Sequence, residues 1–343
     1  MALSVILPLF NHAQFVGKAI SELLSQDPPP DEIIVADDAS TDDSLEIVRG
    51  LARLNATVRV VANSANIGVA ANLDQGLAMA RFSYVYLAAA DDWVLPGFFS
   101  AANRMLDLQP SAGLFCGETI RIDGQTSKIV GHRPAVRPLY REGFVSPSRA
   151  TELLRKHDNW IHTGSTVFRR EAIIAAGGLV QSLGTFADGY LARKIAITRG
   201  VVYSPAPVAV WRIMKTGESR KIARDLGRAR QFIDTICGRI ATDPDFPPWY
   251  VPLLRDRLSF AFCRLAVGEE PIDYDMLSEV GSRNRLDRSL FSALQRFVPV
   301  RSLQRVAILS WLALRLRPVS LVGLLRTRLA RRREHWFGLL SKP

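Results

Sequence analysis

Two pairs of adjacent aspartates, Asp37-Asp38 and Asp91-Asp92, are the residues whose type and placement most clearly allow chemistry. Each pair directly follows a short apolar run, EIIVA before the first and YVYLAAA before the second. Carboxylates bind hard divalent cations, and they accept protons as general bases. One such pair alone is more often an acidic turn or a helix cap. Two pairs at the ends of two strands of one sheet are much harder to explain in that way.

The elements that position these aspartates alternate between strand and helix, as a doubly wound α/β sheet requires. We predict strands over residues 3–10, 32–36, 57–62 and 84–88, and helices over 15–25, 41–53 and 70–81, the second helix capped by Ser40 or Thr41. Successive βα units imply right-handed crossovers and a mostly parallel sheet. Ligands bind such sheets beyond the carboxyl ends of the strands, and both aspartate pairs fall there.

The positive charge of the chain is concentrated at its C-terminal end. Residues 281–343 contain 14 Lys or Arg against Asp287 and Glu334, whereas the first 280 residues are close to neutral. A basic tail indicates an anionic partner. Arginines interleaved with leucines favour an anionic membrane surface, and the neutral body argues against nucleic acid. The alternative is a helical bundle with a solvated arginine face.

Bulk features favour a folded cytoplasmic protein. The three cysteines are scattered without CxxC spacing, which suits a reducing compartment and excludes a disulfide framework or a cysteine zinc site. The segment MALSVILPLFNH has no basic residue before its apolar run, so we expect a buried first strand and not a signal peptide. No stretch reaches the roughly 18 uncharged apolar residues of a spanning helix. We therefore expect at most peripheral contact with the inner face of the plasma membrane.

Four segments, SVILPLFN, PDEIIVADDASTDDS, NSANIGVAANLDQGLAMA and YVYLAAADDWVLPG, resemble in order and spacing the motifs of the family 2 inverting glycosyltransferases. The match covers about the first 100 residues and continues more loosely to about Arg212. The resemblance implies the GT-A nucleotide-diphospho-sugar transferase fold, here with a helical C-terminal extension. It also implies inverting transfer from a UDP- or dTDP-sugar to an acceptor hydroxyl, in bacterial cell-surface polysaccharide or glycolipid synthesis.

The resemblance assigns a nucleoside pocket to the ends of the first two strands. The backbone around Pro8, Leu9 and Phe10 would line this pocket. Asp38, together with Asp37, would hydrogen-bond the base or the ribose. These roles are implied by the family motifs that the residues match.

The resemblance also assigns the rest of the donor site. Asn66 and Gly68 match an element beside the nucleotide. Asp91 would bind Mn²⁺ or Mg²⁺ between the donor phosphates, with Asp92 nearby on the metal or on the donor sugar. The family often carries an additional acid just before this carboxylate, where this chain has Ala89-Ala90.

A second constellation, NWIHTGSTVFRREAIIAAGGL followed by SLGTFADGYLARKIA, resembles the acceptor side of the family. In the family this pattern leads to an acidic residue at a helix start, a place that Asp188 occupies. The resemblance makes Asp188 the catalytic base, and the alternative is that it only caps its helix. Trp160 and His162 lie where family members shape the acceptor site, although both residue types also pack in cores. Trp211-Arg212 would close over the donor.

We predict a GT-A domain over 1–215, with a nucleotide-binding half, 1–98, and an acceptor half, 99–215, followed by a helical basic region over 216–343. A nucleotidyltransferase or a dinucleotide-dependent oxidoreductase would need a glycine-rich loop after the first strand, and LPLFNHAQF has none. A different alternative is a degenerate transferase domain that serves as a membrane-associated scaffold, because the metal motif lacks its first acid.

Overall fold

The computed structural model describes residues 2–214, 217, 221–222 and 224–340. The chain divides into two compact units, of which the first comprises Met1–Met214 and Leu321–Pro343 and the second comprises Lys215–Ser320. The first unit contains residues 2–214 of the predicted GT-A domain together with the segment from Leu321 onward, which the prediction placed in the helical C-terminal region. The predicted domain functions stay predictions.

Within the described residues, ten strands form one sheet. The strands are β1 Leu3–Leu9, β2 Glu32–Asp37, β3 Val58–Ala62, β4 Tyr84–Leu87, β5 Trp93–Val94, β6 Leu114–Asp123, β7 Ile129–Arg133, β8 Gly143–Val145, β9 Thr166–Arg169 and β10 Val201–Ile213. Their order is β3-β2-β1-β4-β9-β6-β10-β5, with β7 paired to β6 and β8 to β10. The first four strands are parallel, whereas β9 runs antiparallel to both β4 and β6. Strands β6 and β10 also pair in parallel, so the predicted mostly parallel α/β sheet is confirmed.

The helices follow in chain order. They are α1 Ala13–Leu24, α2 Ser44–Leu54, α3 Val69–Met79, α4 Phe98–Leu108, α5 Pro147–Lys156, α6 Arg170–Ala175, α7 Ala187–Arg199, α8 Leu226–Ala241, α9 Tyr250–Gly268, α10 Arg285–Phe297, α11 Arg301–Leu316 and α12 Leu321–Leu340. Helix α1 buries Val16, Ala19, Ile20 and Leu23, the spacing of one helix face. Strand β1 is buried along nearly its whole length, as expected for a strand covered by helices on both faces.

The last helix, α12, is held on the first unit by a buried charge cluster. Glu118 on β6 is fully buried and accepts hydrogen bonds from Arg137 Nε at 2.6 Å and Arg331 Nη2 at 2.9 Å. The backbone N–H of Arg137 donates to Thr327 Oγ1 at 3.1 Å, and its guanidinium reaches Glu334 Oε1 at 2.5 Å. A buried carboxylate requires such partners, so the sheet and α12 fold as one body.

The second unit has its own apolar core, formed by α8, α9, α10 and α11 with the helical turns between Tyr274 and Gly281. Two arginines of its basic sequence lie inside this packing. Arg305 Nε donates to the carbonyl of Val267 at 3.0 Å, and Arg315 Nε donates to Asp287 Oδ1 at 3.1 Å. Among the described helices, none alone has the length and apolar composition to cross a membrane, and α11 with α12 meets that test only when the two are taken together.

Candidate active site

The loops after β1 and β2 are tied together at the carboxyl edge of the sheet. Asn11 Oδ1 accepts the backbone N–H of Thr41 at 2.8 Å, and Ser40 Oγ accepts the N–H of Asn11 at 3.1 Å. The predicted cap of α2 by Ser40 or Thr41 is therefore wrong, because both residues bind the neighbouring loop and the helix begins only at Ser44. Ser44 Oγ in turn accepts the N–H of His12 at 2.9 Å. These hydrogen bonds fix the backbone position of His12.

Asp38 holds a third loop onto the same edge. Its Oδ1 accepts the N–H of Ile67 at 2.9 Å and Asn63 Nδ2 at 3.1 Å, and its Oδ2 accepts the N–H of Gly68 at 2.9 Å. The residue is only 3% exposed, so its carboxylate is directed into the protein. In this structure Asp38 shapes the loop that carries Asn66 and Gly68. The predicted contact between Asp38 and a base or ribose stays a prediction.

Asp37 is fully buried at the end of β2, and its Oδ2 accepts the backbone N–H of Ser40 at 3.1 Å. The predicted hydrogen bond from a nucleoside to Asp37 thus requires movement of this loop. Phe10 is different, because its side chain is exposed at the end of β1, next to half-buried Pro8 and buried Leu9. The predicted backbone lining by residues 8–10 stays a prediction.

The loop beside the predicted nucleotide offers two further apolar side chains, Ile67 and Val69, both exposed. Gly68 between them has a φ of 87°, in the left-handed region that favours glycine. Asn66 Oδ1 accepts the N–H of Gly68 at 3.1 Å and so helps to hold this conformation. Together with Phe10, these side chains can contact the flat face of a base.

Asp91 follows β4 and keeps 22% of its side chain exposed. Its Oδ2 lies 4.0 Å from Nε2 of His12, which lies in the loop after the neighbouring strand β1, just before α1. The Nδ1 of His12 lies 2.8 Å from the carbonyl oxygen of Phe10. The sequence interpretation missed His12, although it directly follows the SVILPLFN motif and β1 pairs with β4.

Asp92, half-buried like Asp91, binds the backbone of a neighbouring strand. Its Oδ1 accepts the backbone N–H of Arg212 at 2.8 Å. Burial, followed by the adjacent charge of Asp91, raises the pKa of Asp92 well above its usual value, and Arg212 only partly opposes this shift. The predicted binding of a cation by Asp91, with Asp92 nearby, stays a prediction. The guanidinium of Arg212 lies over Phe15, 4.6 Å from the ring centroid, so it covers the aspartate turn.

Asp188 lies in the first turn of α7, two residues after the cap residue Phe186. The hydroxyl of Thr163 donates to its Oδ2, and the N–H of Gly189 donates to its Oδ1 at 2.6 Å. Asp188 is not the N-cap residue of α7, but it satisfies one N–H of the first turn, so its role as a base and its role at the helix terminus both stay predictions. Its carboxylate is partly exposed and is oriented by two donors.

The loop that holds Asp188 also reaches the aspartate turn after β4. Gly164 accepts a hydrogen bond from the hydroxyl of Tyr86 at 3.0 Å through its carbonyl oxygen. A Cβ atom added to Gly164 would lie 3.8 Å from Asp92 Oδ2. Because Thr163 and Gly164 are consecutive, one short loop lies next to both Asp188 and Asp92.

The acceptor side differs from the prediction at Trp160. This residue is 2% exposed, so its ring packs in the core and cannot stack on a sugar where it stands. His162 is half-buried, and its Nδ1 lies 3.1 Å from Thr119 Oγ1. Burial, followed by the charges of Arg133 and Arg121, lowers the pKa of His162 well below its usual value. A neutral imidazole is consistent with a role in binding hydroxyl groups.

Trp211 is the half-buried aromatic residue beside His162, with ring centroids 4.9 Å apart. The guanidinium groups of Arg121 and Arg133 lie 5.5 and 5.3 Å from the Trp211 ring. Burial and the charges of Arg193 and Arg121 lower the pKa of Arg133 to about 10. The aromatic side chain predicted for the acceptor site is thus better matched by Trp211 than by Trp160.

No group of three or more His, Cys, Asp or Glu side chains in the described part of the chain forms a closed metal cluster. Asp91 and His12 nevertheless form a partly exposed pair of oxygen and nitrogen ligands. Mg²⁺ and similar cations are commonly held by one or two protein groups together with substrate phosphates. The pair therefore fits a cation that the protein shares with a diphosphate, and it does not fit an all-protein cage.

The model of glycosyl transferase family 2 matches residues 4–176, half of the chain, and the chain belongs to this family. It is 24% identical over 226 residues to the uncharacterized protein MT1568 of Mycobacterium tuberculosis, covering 64% of this chain and 70% of the relative. It is 33% identical over 110 residues to the uncharacterized glycosyltransferase EpsJ of Bacillus subtilis, covering 31% of this chain and 32% of the relative. The chain is therefore a glycosyltransferase whose likeness to EpsJ spans about a third of either protein.

Two solved structures share the fold. TarS of S. aureus in complex with UDP-GlcNAc has a TM-score of 0.56 at 15% identity, with 97% of this chain and 88% of TarS covered. The mannosyltransferase PcManGT from Pyrobaculum calidifontis, in complex with GDP-Man and Mn²⁺, has a TM-score of 0.55 at 22% identity, with 92% and 86% covered. These likenesses confirm the predicted GT-A fold.

Proposed function

We propose that this glycosyltransferase moves a sugar, with inversion, from a UDP- or dTDP-sugar to an acceptor hydroxyl. The observation that carries the proposal is that the loop Thr163-Gly164 contacts Asp188 on one side and lies next to Asp92 on the other. The complexes of two fold neighbours with UDP-GlcNAc and GDP-Man support a nucleotide-sugar donor. In this arrangement the donor lies across the loops after β1, β2 and β4.

The leaving nucleoside diphosphate needs its charge neutralised, which a divalent cation supplies when bound between its phosphates. Asp91 would hold that cation from the protein side, because its carboxylate is partly exposed and Asp92 is turned towards Arg212. The carboxylate of Asp92 accepts the backbone N–H of Arg212 and so joins the turn that carries Asp91 to β10.

Asp188 acts as general base in a single displacement. The acceptor oxygen attacks the anomeric carbon and forms the new glycosidic bond, while the bond from that carbon to the phosphate oxygen breaks. The electron pair leaves with the nucleoside diphosphate, and the acceptor proton passes to the carboxylate of Asp188. A positioned base of this kind contributes about 10²–10⁴-fold to rate. Thr163 and Gly189 orient the carboxylate without occupying all of its lone pairs.

We infer further that the enzyme works at the cytoplasmic membrane face, on a lipid-linked or cell-surface polysaccharide acceptor. Helix α12 supports this inference, because Thr327, Arg331 and Glu334 hold one of its faces on the sheet. The opposite face exposes an apolar stripe flanked by basic residues. The exposed residues are Leu321, Val322, Leu325, Leu329, Arg326, Arg328, Arg332 and Arg333. Such a face suits an anionic bilayer, and each charge near it contributes about 1 kcal/mol.

Vesicle flotation tests this location. The full chain should float with phosphatidylglycerol-containing vesicles and not with phosphatidylcholine vesicles. The double variant Leu325→Gln/Leu329→Gln should lose flotation, whereas Leu303→Gln, which alters an exposed leucine of α11, should keep it. If the double variant floated as well as the wild type, α12 would not be the part of the protein that binds the membrane.

A donor screen tests the reaction. UDP-, dTDP- and GDP-sugars are incubated with the full chain and Mn²⁺ or Mg²⁺, and release of the nucleoside diphosphate is measured. We expect metal-dependent turnover of a UDP- or dTDP-sugar, and an inverted anomeric configuration in the product by NMR. Turnover of GDP-sugars alone would contradict the donor assignment. Failure of every donor to bind would favour a non-catalytic scaffold.

A further inference from the structure

His12 is held so that one ring nitrogen is directed at Asp91. Its Nδ1 lies 2.8 Å from the carbonyl oxygen of Phe10, and a carbonyl oxygen can only accept a hydrogen bond. Nδ1 must therefore carry the proton. In the neutral ring this leaves the lone pair on Nε2, the atom that lies 4.0 Å from Asp91 Oδ2.

The backbone at His12 is fixed independently of the imidazole. The N–H of His12 donates to Ser44 Oγ at 2.9 Å, and Asn11 is bonded to the loop after β2. This position is also next to the aspartate turn for a topological reason, because β1 and β4 are adjacent parallel strands with Ile6 opposite Leu87. The imidazole is thus held in place next to Asp91, where the proposed function puts a cation.

The separation between His12 and Asp91 is informative. A charge-assisted hydrogen bond from an imidazolium to a carboxylate would bring the two atoms to about 2.7–2.9 Å. Two ligands on one octahedral cation with bonds of about 2.0–2.1 Å instead lie about 2.9 Å apart when adjacent and about 4.1 Å apart when opposite. The observed 4.0 Å is too long for the hydrogen bond and is close to the separation of two opposite ligands of one ion.

We propose that His12, through Nε2, is a second protein ligand of the divalent cation beside Asp91. This inference rests on the proposed function, in which Asp91 holds that cation. His12 lies in the loop after β1. It would supply the ligand that Ala89, whose side chain is a methyl group, cannot supply from the metal motif. Its Nδ1–H bond to a backbone carbonyl is the arrangement that fixes the tautomer and orientation of metal-binding histidines.

A nitrogen ligand has a consequence for metal choice. Mg²⁺ strongly prefers oxygen ligands, whereas first-row transition ions accept imidazole nitrogen readily. The site should therefore bind Mn²⁺ more tightly than Mg²⁺. Replacing His12 should reduce that preference, because the two ions would then share the same oxygen ligands.

Metal binding measured without turnover tests the proposal. MnCl₂ and MgCl₂ are titrated by calorimetry into the full chain in the presence of UDP, dTDP or GDP. We expect His12→Ala to weaken Mn²⁺ binding at least about tenfold, within the range found when metal-supporting groups are removed, and Mg²⁺ binding by less. His12→Glu, which restores a carboxylate, should recover binding with a shift towards Mg²⁺. His132→Gln is the control, a half-buried histidine on β7.

Pulsed electron paramagnetic resonance gives the direct readout. Mn²⁺ bound to the wild type with UDP should show ¹⁴N modulation from a coordinated imidazole, and His12→Ala should lose it. Absence of ¹⁴N modulation in the wild type, or an unchanged Mn²⁺ affinity in His12→Ala, would overturn the proposal. If Asp91→Asn still abolishes binding in that case, the cation site of the proposed function stands without His12. If Asp91→Asn binds Mn²⁺ as the wild type does, the cation site itself is refuted.

Discussion

Replacing Asp38 by asparagine separates the two possible roles of this residue. In the structure, one carboxylate oxygen accepts the N–H of Ile67 and the side-chain amide of Asn63, and the other accepts the N–H of Gly68. Asparagine keeps one oxygen and replaces the other by an NH₂ group. With the oxygen on the Ile67 side, that NH₂ group faces the N–H of Gly68, so two donors oppose each other.

The expected cost follows from these contacts. One charge-assisted hydrogen bond is lost, worth about 1.5–3 kcal/mol, and one N–H is left against a donor, at about 1–3 kcal/mol. Because such contributions are not additive and the loop can relax, we expect the free energy of unfolding to fall by roughly 2–4 kcal/mol. Nucleotide affinity should fall with it, since the same loop carries Ile67 and Val69.

Urea denaturation with an unchanged m-value measures the stability, and calorimetry with UDP measures the affinity. Asp74→Asn is the matched control, because Asp74 makes only an exposed contact with Gln181 and should stay within about 0.5 kcal/mol of the wild type. Loss of UDP affinity in Asp38→Asn at wild-type stability would refute the loop-anchor role. That result would restore the direct nucleoside contact that the family resemblance implies.

Further predictions concern buried charge. Glu118→Ala should lower the free energy of unfolding by about 3–5 kcal/mol, because it removes the buried carboxylate that Arg137 and Arg331 share. Glu334→Ala should cost only about 1 kcal/mol, since Glu334 is 53% exposed. Equal losses of stability in urea would contradict the cluster described. Folding lowers the pKa of His162, so in acid the unfolded chain binds more protons than the folded chain. The contribution of His162 to the free energy of unfolding is therefore lost as the pH falls below 6.5. The difference in free energy of unfolding between the wild type and His162→Gln should therefore shrink between pH 7.5 and 5. A difference that does not change with pH would argue against the lowered pKa of His162. Folding raises the pKa of Asp92, so the contribution of its carboxyl group to the free energy of unfolding is fully present below pH 3.8. That contribution is lost as the pH rises through the pKa of Asp92 in the folded state. Asp92→Asn should consequently raise the melting temperature at pH 7.5 more than at pH 4. A larger increase at pH 4 would contradict the raised pKa of Asp92.

The order of the βα units was predictable from the sequence because it depends on local patterns. The apolar runs before Asp37 and Asp91 are continuous, as strands covered on both faces require, and the structure places strands there. The parallel arrangement then follows from the crossover rule. This information sufficed to bring the two aspartate pairs to one edge.

The contacts of individual carboxylates were not predictable in the same way. The sequence interpretation treated Asp38 as a ligand group, but its oxygens are occupied by a loop about 30 residues further along the chain. Trp160 was expected at the acceptor site, yet it packs in the core while Trp211 lies beside His162. Which face of a strand or loop a side chain occupies depends on tertiary packing, which motif spacing does not encode.

The antiparallel strand β9 is a further feature that local patterns did not reveal. Thr166–Arg169 is only four residues long, and it separates β4 from β6 in the sheet. Its insertion brings Thr163 and Gly164 to the carboxyl end of β4, and with them Asp188. A short strand that pairs with two partners far away in sequence has no periodicity of its own to detect.

Turnover of the cognate nucleotide-sugar by Asp188→Asn, measured together with donor affinity, tests the central claim most directly. If Asp188 is the base beside a donor held at Asp91, kcat should fall by about 10²–10⁴-fold while the donor Kd changes by less than about twofold. Wild-type turnover by Asp188→Asn would contradict the claim that these carboxylates share one catalytic site.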